Sequence, residues 1–151
     1  MLRTRLTDTL KSSMKERNER SVSTLRLILA ALKDQDIAAR GKGNKEGLTD
    51  DHILSLLQSM IKQRRDSIKL YEQGGRMELA QREAEEIAVI EEFLPEQMSD
   101  DEMATVITGI IGEVGAESLK DMGKAMGALK EQYAGQMDFA KASAMVKERL
   151  G

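Results

Sequence analysis

Leu2, Leu6, Leu10 and Met14 recur every four residues, which sets them on one stripe of an amphipathic helix. A polar break at Glu16-Arg17-Asn18-Glu19-Arg20 follows. The next apolar series predicts a second helix, opened by Ser21 or a neighbour, that turns Val22, Leu25, Ile28, Leu29, Leu32 and Ile37 inward. Three glycines and a high charge mark residues 40–47 as a loop. Thr49 then stands before Asp50 and Asp51, a hydroxyl cap followed by carboxylates at the positive end of a helix. Leu48 and Ile53 are spaced as a hydrophobic staple across that cap. Ile53, Leu57, Met60, Ile61, Ile68 and Tyr71 continue its buried stripe to Gly74-Gly75, with Lys62, Arg64, Arg65 and Lys69 expected on outer faces. A fourth helix over 76–92 presents Leu79, Ala80, Ala84, Ile87 and Ile90 inward, with Leu94 just beyond.

Pro95, the sole proline, divides the pattern. It lacks an N–H and clashes with the preceding turn, so a helix interior is excluded there. Ser99 and Glu102 form a capping-box spacing, so one helix stops and another starts within a few residues. Beyond it the apolar stripes are shorter. Met103, Val106, Ile107, Ile110 and Ile111 form one; Leu119, Met122, Met126 and Leu129, opened by Ser118, form a second; Phe139, Ala142, Met145, Val146 and Leu150, capped by Asp138, form a third. No strand pattern and no internal repeat occurs. The expectation is an all-α protein: a four-helix bundle-like domain over residues 1–94, then a small three-helix domain over 95–151.

Composition narrows this further. Aromatic residues are 3% of the chain while methionines number 10, so the core is aliphatic with thioethers filling gaps. The absence of Cys excludes disulfides, thiolate nucleophiles and Cys-ligated metals. No apolar run is long enough for a membrane span and no signal-peptide pattern opens the chain, so a cytoplasmic protein is expected. Net charge is −3, unevenly spread: residues 1–45 carry eleven Lys/Arg against five Asp/Glu, and residues 76–102 two against ten. Such asymmetry steers polyanions or simply reflects solvated helix faces.

Candidate chemistry is sparse. His52 has no second His and no Cys to work with, so a solvent-facing residue on a helix start is the expectation, and no metal or cofactor is implied. Glu83, Glu85, Glu86, Glu91 and Glu92 read as an acidic solvated face, since paired-carboxylate catalysis needs convergence in a desolvated pocket. Gly41-Lys42-Gly43 lacks both the preceding strand and the spacing of a phosphate loop. The unusual stretch is Lys120-Asp121-Met122-Gly123-Lys124-Ala125-Met126-Gly127. Two glycines inside a helix cost about 1 kcal/mol each relative to Ala. Their four-residue spacing bares one strip of backbone, either for tight packing against another helix or for a ligand. In the ligand reading Lys120, Lys124 and Lys130 flank the strip and contact phosphate, so the candidate RNA-binding residues are Lys120, Gly123, Lys124, Gly127 and Lys130.

Four segments carry a resemblance: residues 23–33 (STLRLILAALK), 62–68 (KQRRDSI), 93–99 (FLPEQMS) and 121–127 (DMGKAMG). In order and spacing the chain resembles the YqeY-like proteins, stand-alone relatives of the tail of GatB, a component of the aspartyl/glutamyl-tRNA amidotransferase. The resemblance implies two helical domains divided at Pro95 and kinship to a module that presents tRNA to an amidotransferase. It supplies no counterpart of that enzyme's active site, so a carbon–nitrogen ligase label with glutamine as amide donor is inherited from the larger relative. Many relatives have Gly-Arg-Ala-Asp-Gly where this chain has Gly135-Gln136-Met137-Asp138-Phe139, which keeps the capping Asp and loses the Arg. Three functions are thereby expected to compete: a non-catalytic tRNA- or RNA-associated accessory module, an accessory to an amidotransferase complex, and a helical protein–protein adaptor.

Overall fold

The computed structural model describes every residue from Met1 to Gly151 and contains helices and turns without a strand. Seven α-helices follow in order: α1 (Leu2–Lys15), α2 (Glu19–Gly41), α3 (Asp50–Gln73), α4 (Met77–Glu91), α5 (Asp100–Val114), α6 (Met122–Gln132) and α7 (Phe139–Leu150). A single 3₁₀ turn, Leu119–Asp121, precedes α6. The helices group into two compact units, Met1–Leu94 and Pro95–Gly151, each with its own apolar core.

In the first unit α3 packs chiefly on α4, α1 on α2, and α2 on α4. Leu6, Leu25, Ile28, Ile53, Leu57 and Ile90 are fully enclosed, and each such side chain contributes about 1.5–3 kcal/mol by leaving water. Phe93 is the one aromatic ring in this core. Arg5 sits 5.3 Å from its ring centre and donates to the Glu92 carbonyl at 3.2 Å. A clasp joins α1, α2 and the loop before α3. Arg3 forms a two-pronged pair with the Asp36 carboxylate at 2.7 and 2.8 Å and also donates to the Leu48 carbonyl. Asp36 accepts in addition from the Leu48 N–H at 3.0 Å. The neighbouring guanidinium holds the Asp36 carboxyl down at about 2.

Local chemistry explains the helix ends. Thr49 and Asp138 accept N–H groups of the first turns of α3 and α7 as expected. α2 starts earlier than the apolar pattern indicates, because Asn18 rather than Ser21 is the cap, with its side chain accepting from the Ser21 N–H at 3.2 Å. At α5 the Ser99 hydroxyl accepts the Glu102 N–H and donates to the Glu102 carboxylate, so the box closes between side chains and leaves the Ser99 N–H out. Ser118 opens only the 3₁₀ turn; α6 proper begins at Met122.

Four core assignments change, Ala84 among them: it is exposed on α4 between the buried Ala80 and Ile87. Met14 is exposed and Ser13 is buried in its place, because 3.6 residues per turn carry a strict four-residue repeat off the buried face within three turns. Ile37 is 56% exposed, on the outer face of α2. Leu119 is exposed as well, in the 3₁₀ turn rather than on the α6 stripe.

Candidate nucleic-acid interface

The second unit is built around Ile107, Ala125, Leu129, Met137, Ala142 and Val146. Burial of Ala125 and Leu129 fixes the rotation of α6, and with it which side faces water. Gly123, Lys124, Gly127 and Lys130 all lie on the exposed side, and Lys120 is exposed in the turn just before. On a wheel of about 100° per residue the two glycines run down the middle, with Lys120 and Lys124 to one side and Lys130 to the other. Glu131 is the one carboxylate of α6 that shares this side. None of the three lysines reaches a carboxylate, whereas Lys141 of α7 is held by Asp100 at 2.6 Å.

The glycine strip is not a helix-packing contact. A Cβ placed on Gly123 or Gly127 meets nothing within 4 Å, so the expectation of tight packing against another helix is corrected. The core of this unit is closed by the opposite side of α6. Asp121 precedes α6 without capping it; its carboxylate accepts the Glu117 N–H at 2.9 Å instead. The strip is therefore open backbone between free ammonium groups. Such a surface admits a bulky polyanion closely. At the turn before α7, Gly135 and Met137 are buried, and the Gly135 carbonyl accepts from the Gln97 amide at 2.6 Å.

Other sequence candidates resolve differently. His52 is exposed and its Nδ1 lies 2.9 Å from the Thr49 hydroxyl, part of the α3 cap. No cluster of three His, Cys or acidic side chains is placed to hold a metal. No helix is long and apolar enough to cross a membrane. The acidic stretch on α4 is not wholly a solvated face. Glu83 and Glu86 are half-buried and converge on Arg64, itself only 12% exposed, at 3.9 and 2.8 Å. Arg20 binds Glu85 at 3.0 Å and reaches Glu86 at 4.0 Å, which extends the network to α2. Burial, then the neighbouring Glu86, raise the Glu83 carboxyl. Arg64, Glu83 and Glu86 line an open cleft of about 430 Å³ with Leu27, Tyr71 and Leu79. Arg64 belongs inside rather than outside, and the signal was present: Leu57, Ile61, Arg64, Ile68 and Tyr71 follow one helical stripe.

Comparison with known proteins accounts for nearly the whole chain. A model of the family described as Yqey-like protein matches residues 3–150. An uncharacterized protein of Schizosaccharomyces pombe is 33% identical over 88 residues, which cover 58% of this chain and 68% of that one. The protein named altered inheritance of mitochondria protein 41, mitochondrial, from Lachancea thermotolerans is 33% identical over 85 residues. That match covers 56% of this chain and 43% of the longer relative. Its namesake from Clavispora lusitaniae is 28% identical over 125 residues, 82% of this chain and 68% of its own length. With the match running from the third residue to the last but one, the chain belongs to the YqeY-like protein family.

Proposed function

We propose that this protein is a non-catalytic, RNA-associated accessory module whose α6 face contacts the phosphate backbone of tRNA. The observation that carries the reading is the open Gly123/Gly127 strip bordered by Lys120, Lys124 and Lys130, three cations without carboxylate partners. The resemblance to the tail of the tRNA-dependent amidotransferase points to the same ligand. Residues 95–151 carry six basic against ten acidic side chains, and the chain has few aromatic rings for base stacking. Contact is therefore through phosphate and shape, weak and steeply dependent on salt.

The test is titration of the whole protein with bulk tRNA at about 50 and about 200 mM KCl. Three phosphate contacts lower affinity about 20- to 40-fold over that range, from single-strand to duplex behaviour. Lys120→Glu/Lys124→Glu is expected to weaken binding about tenfold at low salt, with an unchanged helical circular-dichroism spectrum. Binding that is absent at low salt, or equally strong in the double variant, refutes the assignment. A second reading, as a protein adaptor, draws on the cleft beside the Arg64 network, where Leu27 is 48% exposed next to half-buried Tyr71 and Leu79. A defined protein partner that is retained after nuclease treatment and lost in Leu27→Glu favours it.

A further inference from the structure

Ion pairing in the first unit leaves a surplus of free cations that the net charge conceals. Of the eleven Lys and Arg in residues 1–45, only Arg3 and Arg20 reach a carboxylate, at 2.7 and 3.0 Å. Arg26, Lys33 and Arg40 form no ion pair, are exposed and lie seven residues apart on α2, with Arg40 one turn from the carboxylate that Arg3 holds. Seven residues fall within about 20° of two full turns, so the three share one line spanning about 21 Å of helix. Ala30 and the exposed Ile37 lie between them on the same stripe.

At its N-terminal end this line runs into a cleft of about 340 Å³ lined by Met14, Arg17, Glu19, Val22, Ser23 and Arg26. Arg17 lies in the α1–α2 turn with φ +57, the only non-glycine residue in the left-handed region. Glu19 in the cleft, Asp34 beside Lys33 and Asp36 one turn before Arg40 are the acids along this face; the first two form no ion pair, and Asp36 is held by Arg3 at 2.7 Å.

We propose that the outer face of α2 is a second nucleic-acid contact: Arg17, Arg26, Lys33 and Arg40 hold phosphates along one RNA strand, and the Met14–Val22 wall of the cleft takes a base or ribose. Three of the four cations are arginines, whose planar fork suits bidentate contact with phosphate oxygens. An anionic membrane surface fits less well, because Ile37 is the single large apolar side chain on the stripe and insertion needs a broad apolar face. The inference rests on RNA being the ligand but uses none of the α6 residues.

The experiment titrates the full chain with a short mixed-sequence single-stranded RNA and with bulk tRNA at about 50 and about 200 mM KCl. It compares Arg26→Glu/Lys33→Glu/Arg40→Glu with Lys120→Glu/Lys124→Glu. All the α2 substitutions are solvent-exposed, and circular dichroism checks that both variants are folded. The α2 variant is expected to lose affinity about tenfold or more at low salt and to flatten the logarithmic salt slope by about 2, as removal of three single-strand phosphate contacts requires. Loss in the α2 variant alone sustains this inference and sinks the α6 reading; loss in the α6 variant alone does the reverse. Absence of RNA binding by the native chain at low salt overturns both. Binding to phosphatidylserine-containing vesicles that exceeds RNA binding and vanishes in the α2 variant overturns the nucleic-acid assignment in favour of a membrane surface.

Discussion

Gly47 is where the clasp of the first unit leaves no room for a side chain. Its φ is +87, and a Cβ there would lie 2.9 Å from Arg3 Nη2 and 3.1 Å from Asp36 Oδ1. Gly47→Ala therefore carries two costs. The left-handed backbone conformation costs about 1–2 kcal/mol for a residue with a Cβ. Displacing the Arg3 guanidinium from Asp36 adds a fraction of a partly exposed ion pair, about 0.5–1 kcal/mol, because Arg3 is 41% exposed and solvent screens the pair. Alanine restricts the unfolded chain, which offsets about 0.4–1 kcal/mol. The net expectation is about 1–2 kcal/mol of destabilisation, read in urea unfolding as a midpoint lowered by about 0.5–1 M at an unchanged slope. The same substitution in an Arg3→Met background keeps the backbone cost and removes the collision with the guanidinium, so it should be milder by about 0.5–1 kcal/mol. Equal costs in the two backgrounds, or a Gly47→Ala protein as stable as the parent, would refute this account. Acid adds an independent check. The Asp36 carboxyl is depressed from its ordinary value of 3.8 to about 2 by the hydrogen-bonded Arg3, so its contribution is complete above about pH 4 and drains away as pH falls toward 2. Asp36→Asn should remove that part of the acid sensitivity.

Two further outcomes follow from the same geometry. Gly123→Ala and Gly127→Ala should each stabilise α6 by about 1 kcal/mol in thermal unfolding, because each Cβ enters open space on an exposed helix; destabilisation would mean the strip is packed after all. Arg64→Met strands Glu83 and Glu86 in a half-buried site and should cost about 2–4 kcal/mol near neutral pH. That cost should shrink toward pH 5, since the Glu83 carboxyl, already raised by burial, then takes up a proton; a cost independent of pH would show that Arg64 acts by packing alone.

The helices, the caps Thr49, Ser99 and Asp138, and the helix break at Pro95 were legible because they depend on local rules. Thr49, Asp138 and the short break around Pro95 act within a turn of themselves. What lay beyond the sequence was rotation about each helix axis. Met14 and Ile37 continue apolar series by count, yet both face water, since only the packed neighbours decide which side of a long helix is covered. Arg64 sits on the buried stripe by spacing, but its charge alone argued for the surface; the two carboxylates of α4 that reverse the argument lie 19 and 22 residues away. The α6 lysines and glycines were legible as a strip, whereas the emptiness above the glycines is a tertiary fact. The α2 line was hidden for the opposite reason. Its cations are ordinary helix surface until ion pairing elsewhere shows that none of them forms an ion pair.

The contact of Arg5 with Glu92 and the Phe93 ring bears on the order of events in folding. It joins residues 87 apart in the chain. Closing a loop of that length costs about 4 kcal/mol in chain entropy, more than one exposed hydrogen bond and a cation–π contact return. The contact cannot nucleate the unit, and it forms only after the α1–α2 hairpin has packed on the α3–α4 hairpin. It behaves as a late latch: weakening Arg5 should quicken unfolding and leave the folding rate nearly untouched.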